Sequence, residues 1–289
     1  MTVAQWEAAF PNEDACDAYL VANRWPSGKV NCPRCGSTSV YELKTMKFKW
    51  ECPDCRKGGA YRFSTITGTI FENTNKDLRE WFRVIHLMLT AKKGISALQV
   101  QRMMGFGSYR TAWYMCHRIR AALAHEDFRQ LMGIVEVDET NIGGKDKNRH
   151  KKNKKGMFGG KTTIIGAVER KGNVVARVIS RADHYTLDQF VRSMVSDKVS
   201  LLATDEHHGY QFLADQFPNG QVNHTRKQYV VGAIHTNTIE GFWSLFKRSI
   251  VGSYHKVSAK YLPLYIAEAQ FKYNNRHNAN IFGAAIAGV

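Results

Sequence analysis

Ile134-Val135-Glu136-Val137-Asp138-Glu139-Thr140 is the stretch that sets the fold class of this 289-residue chain. Apolar and polar residues alternate along it, and a period of two predicts a β-strand with one buried face. The pair Gly143-Gly144 ends the predicted strand. Before it, from 74 to 130, apolar residues recur at helical spacing instead. The change of period at 131 therefore marks the start of a new structural region.

The elements predicted after this strand follow a defined order. Strands are predicted at 162–170, 173–180 and 199–204, and helices at 186–196, from 236 onward and at 261–275. Lys171-Gly172 separates the first two of these strands and suits a hairpin turn. Three antiparallel strands followed by alternating helices and strands predict an α/β fold of the RNase H-like kind, a mixed sheet flanked by helices.

The helix predicted from 236 onward lies in the segment His235-Thr236-Asn237-Thr238-Ile239-Glu240-Gly241-Phe242-Trp243-Ser244-Leu245-Phe246-Lys247-Arg248. Its apolar residues at 239, 242, 246 and 250 form a stripe, and Thr236 or Asn237 can cap its first turn. Glu240 and Lys247 share a face, about 10 Å apart along the axis. Taken alone, the pattern also fits an ordinary surface helix.

Three acids fall where the predicted fold converges. Asp138 lies on the first strand, Asp205 follows the buried fourth strand, and Glu240 lies on the later helix. Three carboxylates at one place need compensating cations, and hard oxygen ligands suit magnesium or manganese. Two such ions about 3.5–4 Å apart can promote in-line attack on a phosphodiester. Lys247 is predicted to hold a nearby phosphate.

Other residues compete for these roles. Glu136 shares the predicted strand face of Asp138, whereas Glu139 points to the other face. Further candidate acids are Glu206, Asp183 and Glu268. A zinc site could instead be made by His207, His208 and His235, although a flanking or substrate-positioning role suits their spacing better.

The first 73 residues contain two CxxC pairs, Cys32/Cys35 and Cys52/Cys55, separated by 16 residues. This spacing predicts a four-cysteine structural zinc site on a strand-rich ribbon. A redox dithiol is the alternative, but the sequence around the pairs lacks a βαβ pattern. Cys16 lies outside this spacing and is interpreted as a buried thiol.

Residues 74–130 have the pattern of a short helix, a glycine turn and a basic amphipathic helix, which is typical of a helix-turn-helix. Ser108 is the predicted cap of the last helix. The DNA contacts predicted on its polar face are Arg110, Arg118 and Arg120. A plain three-helix bundle with a solvated basic face is the alternative.

The charge balance points to a polyanionic partner, because the formal net charge is +16 and the pI is about 9.6. Nucleic acid is the first choice and an acidic membrane surface the second. A basic loop at 145–155 interrupts two strands and is predicted to contact phosphates through Lys151, Lys152, Lys154 and Lys155, with a merely solvated loop as the alternative. The sequence shows neither a membrane span nor a signal peptide, so a cytoplasmic location is expected.

The chain resembles bacterial insertion-sequence transposases of the DDE type with an N-terminal zinc ribbon and an RNase H-like core. The motifs that carry the resemblance are both CxxC pairs, 135–140 with 142–145, 204–205, 235–244 with 247–248, 254–258 and 271–276. The resemblance implies that Asp138, Asp205 and Glu240 bind the metal and that Lys247 assists; Arg248 is a further predicted DNA contact. The patterns along the chain predict three domains, 1–73, 74–130 and 131–289.

The hypothesis that follows is a DNA transposase that binds the terminal inverted repeats of its element, cleaves the ends and joins the 3′-hydroxyls to target DNA. Holding two ends together implies a homo-oligomer. One alternative is a catalytically silent, transposase-derived zinc-ribbon DNA-binding protein. Another is an RNase H-like nuclease of RNA–DNA hybrids.

Overall fold

A computed structural model describes residues 1–55, 61–124, 129–144, 161–205, 217–222 and 235–289, with Asp205 described by its backbone. The chain forms two compact units, Met1–His125 with Asn278–Val289, and Glu126–His277. Within the described ranges, no helix has the length and apolar character needed to cross a bilayer.

The first unit begins with two short helices and a small sheet. Its elements are α1 (Val3–Ala9), α2 (Glu13–Arg24), β1 (Tyr41–Glu42), β2 (Lys49–Cys52), β3 (Tyr61–Ser64), α3 (Leu78–Thr90), α4 (Ala97–Met104), α5 (Tyr109–Ala122) and the C-terminal α9 (Ile281–Ala287). Two of these helices have side-chain caps: Asn12 accepts from the Ala15 N–H at the start of α2, and Ser108, the predicted cap of α5, accepts from the Arg110 N–H.

The ribbon is a three-stranded antiparallel sheet in the order β1-β2-β3. Its small core consists of Trp25, Trp50, Phe63 and the buried thiols of Cys32 and Cys52. A core of this size cannot by itself offset the entropy of ordering the ribbon, so the fold depends on a further crosslink at the cysteines.

The helices of the first unit pack around an aromatic cluster that includes the last helix of the chain. Phe282 of α9 lies 5.4 Å from both Phe10 and Phe82, measured between ring centroids. Residues 278–289 pack with the first unit, and the second unit spans Glu126–His277. The three domains 1–73, 74–130 and 131–289 stay a prediction.

The second unit is built on a five-stranded sheet. Its elements are β4 (Ile134–Ile142), β5 (Thr162–Glu169), β6 (Val174–Ile179), α6 (His184–Met194), β7 (Leu201–Asp205), β8 (Asn219–Val222), α7 (Asn237–Ser249), a π-helical turn (Ile250–Tyr254) and α8 (Leu262–Asn274). The order is β6-β5-β4-β7-β8. The first three strands pair antiparallel, whereas β7 and β8 run parallel to β4, which confirms the predicted RNase H-like mixed sheet.

Alternation along β4 divides the core of this unit into two layers. Val135 and Val137 face α6 in one apolar cluster. Ile142 lies on the opposite face with the apolar side chains of α7 and α8. Glu136 and Asp138 have the same parity as Ile142 and belong to the α7 face, while Glu139 belongs to the α6 face, as predicted.

Candidate functional site

Two of the predicted acids sit at the same level of the sheet. In the parallel pair of β4 and β7, Val137 is in register with Thr204. Asp138 and Asp205 are the next residues of their strands, so their backbones lie side by side on neighbouring strands. The predicted strand order thus brings these two backbones together, while the role of the two acids in binding metal stays a prediction. The parallel pairing that produces it depends on the crossover through α6.

The helix that carries Glu240 is anchored to β4 by Glu136. The Glu136 carboxylate is fully buried and accepts from the backbone N–H groups of Thr238 at 2.7 Å and Ile239 at 3.0 Å. It also accepts from the Thr238 hydroxyl at 2.8 Å. An anion here satisfies N–H groups of the first helical turn and lies at the positive end of the helix dipole.

Arg170 completes this anchor from the end of β5. Its Nε donates to Glu136 at 2.6 Å, and its Nη2 donates to the carbonyl of His235 at 2.9 Å. The His235 Nδ1 lies 3.3 Å from the same carboxylate. A buried charge needs such compensation, so Glu136 is committed to holding α7 and is not available as a metal ligand.

Helix α7 also lies unusually close to the sheet beside Asp138. Gly166 of β5 pairs with Asp138, and a Cβ atom at this position would lie 2.6 Å from Cζ2 of the buried Trp243. Only glycine allows the indole ring to lie directly against the strand. Gly166 was not among the predicted site residues, although a glycine inside a strand does indicate close backbone approach.

Glu240 itself is exposed, one turn into α7. Its Oε1 accepts from the Thr236 hydroxyl at 2.9 Å. Lys247 is also exposed, whereas Ile239, Phe242 and Phe246 are buried, which confirms the predicted apolar stripe. Thr236 is the N-cap residue, but its hydroxyl turns to Glu240, and the capping acceptor comes from Glu136 instead.

The other candidate acids have structural partners. Glu268 is buried in α8, where it accepts from Lys272 at 2.6 Å and from the Tyr254 hydroxyl. Asp183 caps α6, and the N–H of Thr186, with its hydroxyl, lowers the pKa of the Asp183 carboxyl. Glu206, His207 and His208 lie outside the described residues.

The four cysteines of the CxxC pairs form one cluster. Their sulfur atoms all lie within 4.8 Å of one another, with Cys32 and Cys55 3.8 Å apart and Cys35 and Cys52 3.6 Å apart. A tetrahedron with Zn–S bonds of about 2.3 Å has edges of about 3.8 Å. The cluster therefore fits structural zinc.

Proton affinities in the cluster agree with this reading. Burial opposes ionisation of Cys32, but the N–H groups of Cys35 and Arg34 outweigh it and lower the pKa of Cys32 to about 7. The hydrogen bond with Cys35 and burial raise the pKa of Cys55 to about 12. One thiolate thus suppresses the ionisation of the neighbouring thiols. A bound dication would relieve the repulsion between several thiolates. Outside the cluster, Cys16 is buried, as predicted, and burial raises the pKa of its thiol to about 12.

The predicted DNA contacts differ in accessibility. Arg110 is exposed on α5, and Arg248 is exposed on α7. Arg118 is half-buried and donates to the carbonyl of Glu72 at 2.9 Å. The placement of Arg120 on the exposed basic face is wrong, because the side chain is only 2% exposed and lies on the packed side of the helix. The loop lysines Lys151, Lys152, Lys154 and Lys155 lie outside the described residues.

This sheet, the acids carried by β4, β7 and α7, and the four-cysteine ribbon define a class: RNase H-like proteins of the DDE type preceded by a zinc ribbon. Residues 130–274 match the ISXO2-like transposase domain, and residues 11–58 match the transposase zinc-ribbon domain. The chain belongs to the ISXO2-like transposase family.

Two individual proteins resemble the chain. One is described as an uncharacterized protein in transposable element ISH50 of Halobacterium salinarum, 25% identical over 256 residues that cover 83% of each chain. The other is a solved structure, a simian T-cell lymphotropic virus intasome in complex with PP2A regulatory subunit B56 gamma. That match has 13% identity and a TM-score of 0.30 and covers 66% of this chain and 65% of the other.

Proposed function

We propose that this transposase cleaves the ends of its element and joins the freed 3′-hydroxyls to target DNA at the site formed by Asp138, Asp205 and Glu240. The observation that carries the proposal is the register of β4 and β7, with Asp138 and Asp205 at one level on parallel neighbours. The Glu136 anchor supports it, because it holds the first turn of the Glu240 helix on the Asp138 face of β4.

The donor set fits magnesium or manganese. Asp138, Asp205 and Glu240 offer carboxylate oxygens, and neither histidine nor cysteine belongs to the set. When bound, the cations would activate the attacking oxygen and stabilise the leaving oxygen. The chain itself orients this chemistry through the rigid β4–α7 contact. Lys247, exposed two turns beyond Glu240, offers a point charge for a DNA phosphate.

Recognition of the terminal inverted repeats is assigned to the first unit. Its ribbon fits structural zinc, and α4 and α5 pack in the order of a helix-turn-helix. Tyr109, Arg110 and Tyr114 are exposed together on α5, which suits contact with phosphates and bases. Two element ends must be joined in one reaction, so the active form is proposed to be a homo-oligomer.

The test uses the whole protein, a duplex bearing the end of its element, and magnesium. Asp138→Asn and Glu240→Gln should each lower end nicking and strand transfer at least about 100-fold, since each removes a metal ligand. Glu139→Gln is the matched control, because it lies on the same strand with the opposite orientation and should retain activity. Equal activity in all three variants would refute the proposed site.

The same assay separates the alternative functions. A wild-type protein that binds the end but neither nicks nor joins it would be a catalytically silent DNA-binding protein. Cleavage of an RNA–DNA hybrid, without cleavage of the element end, would indicate a nuclease.

A further inference from the structure

The second unit contains a cleft of about 840 Å³ between the end of β4, the start of β5 and the segment after α7. Its floor is apolar, with buried side chains of Ile142, Ile250 and Leu262. The exposed cationic or titratable residues that line it are Lys161, Lys247, His255 and Lys256. Neither aspartate nor glutamate occurs among its described lining residues.

One rim of the cleft is a strained turn. His255 has φ 59° and ψ −47°, and the N–H of Lys256 donates to the carbonyl of Tyr254 at 2.6 Å. These values describe a γ-turn of the rare kind, which costs about 1–3 kcal/mol for a residue other than glycine. The turn follows a π-helical segment, a feature that is frequent at functional sites.

The strained turn is held in place from behind. The Tyr254 hydroxyl donates to the buried Glu268 carboxylate at 3.1 Å, and the rings of Tyr254 and Tyr265 meet edge to face at 4.6 Å. The residues beside the turn are therefore fixed, while His255 and Lys256 stay exposed at its tip. A rigid base carrying exposed cations is suited to binding an anion.

The cleft also lies at a defined distance from the proposed site. Asn141 in its wall is three residues beyond Asp138 on β4, which is about 10 Å of strand. Lys247 is seven residues beyond Glu240 on α7, again about 10 Å. On each element the cleft residue therefore lies about 10 Å from the acid. Three successive nucleotides of one DNA strand span about the same distance.

We propose that this cleft binds a backbone phosphate of the DNA strand about three nucleotides from the bond that is cut, through Lys161, Lys256 and the γ-turn at His255. This inference rests on the proposed function and extends it to a specific DNA contact. Charge complementarity selects the occupant, because the rim is cationic. The exposed backbone of Gly143 and Gly144 lets a phosphate approach closely.

The first test measures DNA affinity against salt concentration in the full-length Glu240→Gln protein, so that no catalysis is needed. Changing Lys161 and Lys256 together to glutamine should lower affinity about tenfold and reduce the slope of log K against log [salt] by about 0.9, the value for one phosphate contact. The matched control changes Lys171 and Lys198, which are also exposed but lie outside the cleft. It should stay within about twofold of the parent protein.

The second test identifies the phosphate. Single phosphates of the end duplex are replaced by neutral methylphosphonates, and the cost of each replacement is measured with the parent protein and with the variant that carries both Lys161→Gln and Lys256→Gln. At the contacted phosphate the parent should lose about fivefold in affinity and the double variant almost nothing, because both partner charges are already gone. This position is expected about three nucleotides from the cut.

The outcomes are distinct. The cleft proposal would be overturned by two results together: equal salt slopes for the cleft variant and the control variant, and an effect of phosphate replacement that is the same with and without the cleft lysines at every position. The proposed function would then still stand. A parent protein that does not bind the end at all would instead refute the proposed function.

Discussion

The buried carboxylate of Glu136 shows how one residue can position a site without joining it. It receives two backbone N–H groups and a hydroxyl from α7 and the Nε of Arg170 from the end of β5. Sequence reasoning ranked Glu136 as a rival of Asp138, because both face the same side of β4. Which of two such acids meets a helix N-terminus depends on where that helix crosses, and strand alternation does not contain that information.

Removal of this carboxylate should destabilise the second unit. Glu136→Ala leaves Arg170 and the first turn of α7 without their buried acceptor, and the free energy of unfolding should fall by about 3–5 kcal/mol. Urea denaturation followed by tryptophan fluorescence measures the change. Glu139→Ala, on the opposite face of the same strand, should cost about 1 kcal/mol or less. Equal losses in the two variants would contradict the anchor role.

Gly166 gives a second test of the same contact. In Gly166→Ala the new methyl group would overlap the Trp243 indole, and we expect a loss of about 1–3 kcal/mol from overpacking. Because α7 must move to relieve the overlap, nicking of the element end should fall more than DNA affinity does. Adding Trp243→Leu should recover part of the stability, since it removes the clashing ring. If Gly166→Ala has the same melting temperature as the wild type, and adding Trp243→Leu only lowers the stability further, then the fold does not depend on the close approach of α7 to β5.

Most helices and strands of the second unit were predictable because each has a local pattern; β8, which has only four residues, was not among the predicted strands. Alternation identified β4, and the apolar stripe identified α7. The error at Arg120 shows the limit of this reasoning. On a helical wheel of residues 109–123, Arg120 lies at the edge of the apolar stripe, four residues after the buried Cys116, and α5 packs against α3 as well as α4, so its buried surface is wider than the stripe. How far burial extends beyond the stripe depends on which neighbouring helices pack there, and the residues of one helix do not determine that.

The ribbon is the element whose stability we expect to depend on metal. About one zinc ion per chain should be found by elemental analysis, and removing it with a chelator should unfold β1–β3, because their core is small. Hydrogen exchange resolved by peptide should then show loss of protection at 30–55 with little change in β4 and β5. Uniform loss of protection across both units, or none in the ribbon, would contradict this expectation.

Cys16 provides an internal control for that experiment. Burial raises its pKa to about 12, so between pH 6 and pH 9 it stays a neutral thiol while the helices of the first unit are folded. The four ribbon cysteines should therefore react with iodoacetamide after chelation, and Cys16 should not. The thiolate form of Cys16, which is the form that reacts, would appear only as the pH approaches about 12 or when α2 unfolds. Labelling of Cys16 together with the others would show that metal loss unfolds more than the ribbon.

The first unit contains both the first and the last residues of the chain. The chain starts in the first unit, forms the whole second unit, and returns to the first with residues 278–289. No local pattern distinguishes α9 from a helix of the second unit, and its partners lie about 200 or more residues earlier, as in the Phe282 contacts with Phe10 and Phe82. Long-range pairing of this kind explains why local sequence patterns do not indicate that residues 278–289 pack with the first unit.

This return makes a prediction for the molecule as a whole. Phe282→Ala removes a buried ring from the aromatic cluster of the first unit and should destabilise that unit by about 3–5 kcal/mol. The second unit should keep its stability, although residue 282 follows it directly in sequence. Hydrogen exchange measured separately in α3 and in β4–β5 reports on the two units. The matched variant is Phe246→Ala in α7, which should have the opposite effect, weakening β4–β5 and sparing α3. If Phe282→Ala weakened the second unit instead, the last helix would belong with the sheet, because the stability lost upon truncating a core side chain is lost first where that side chain packs.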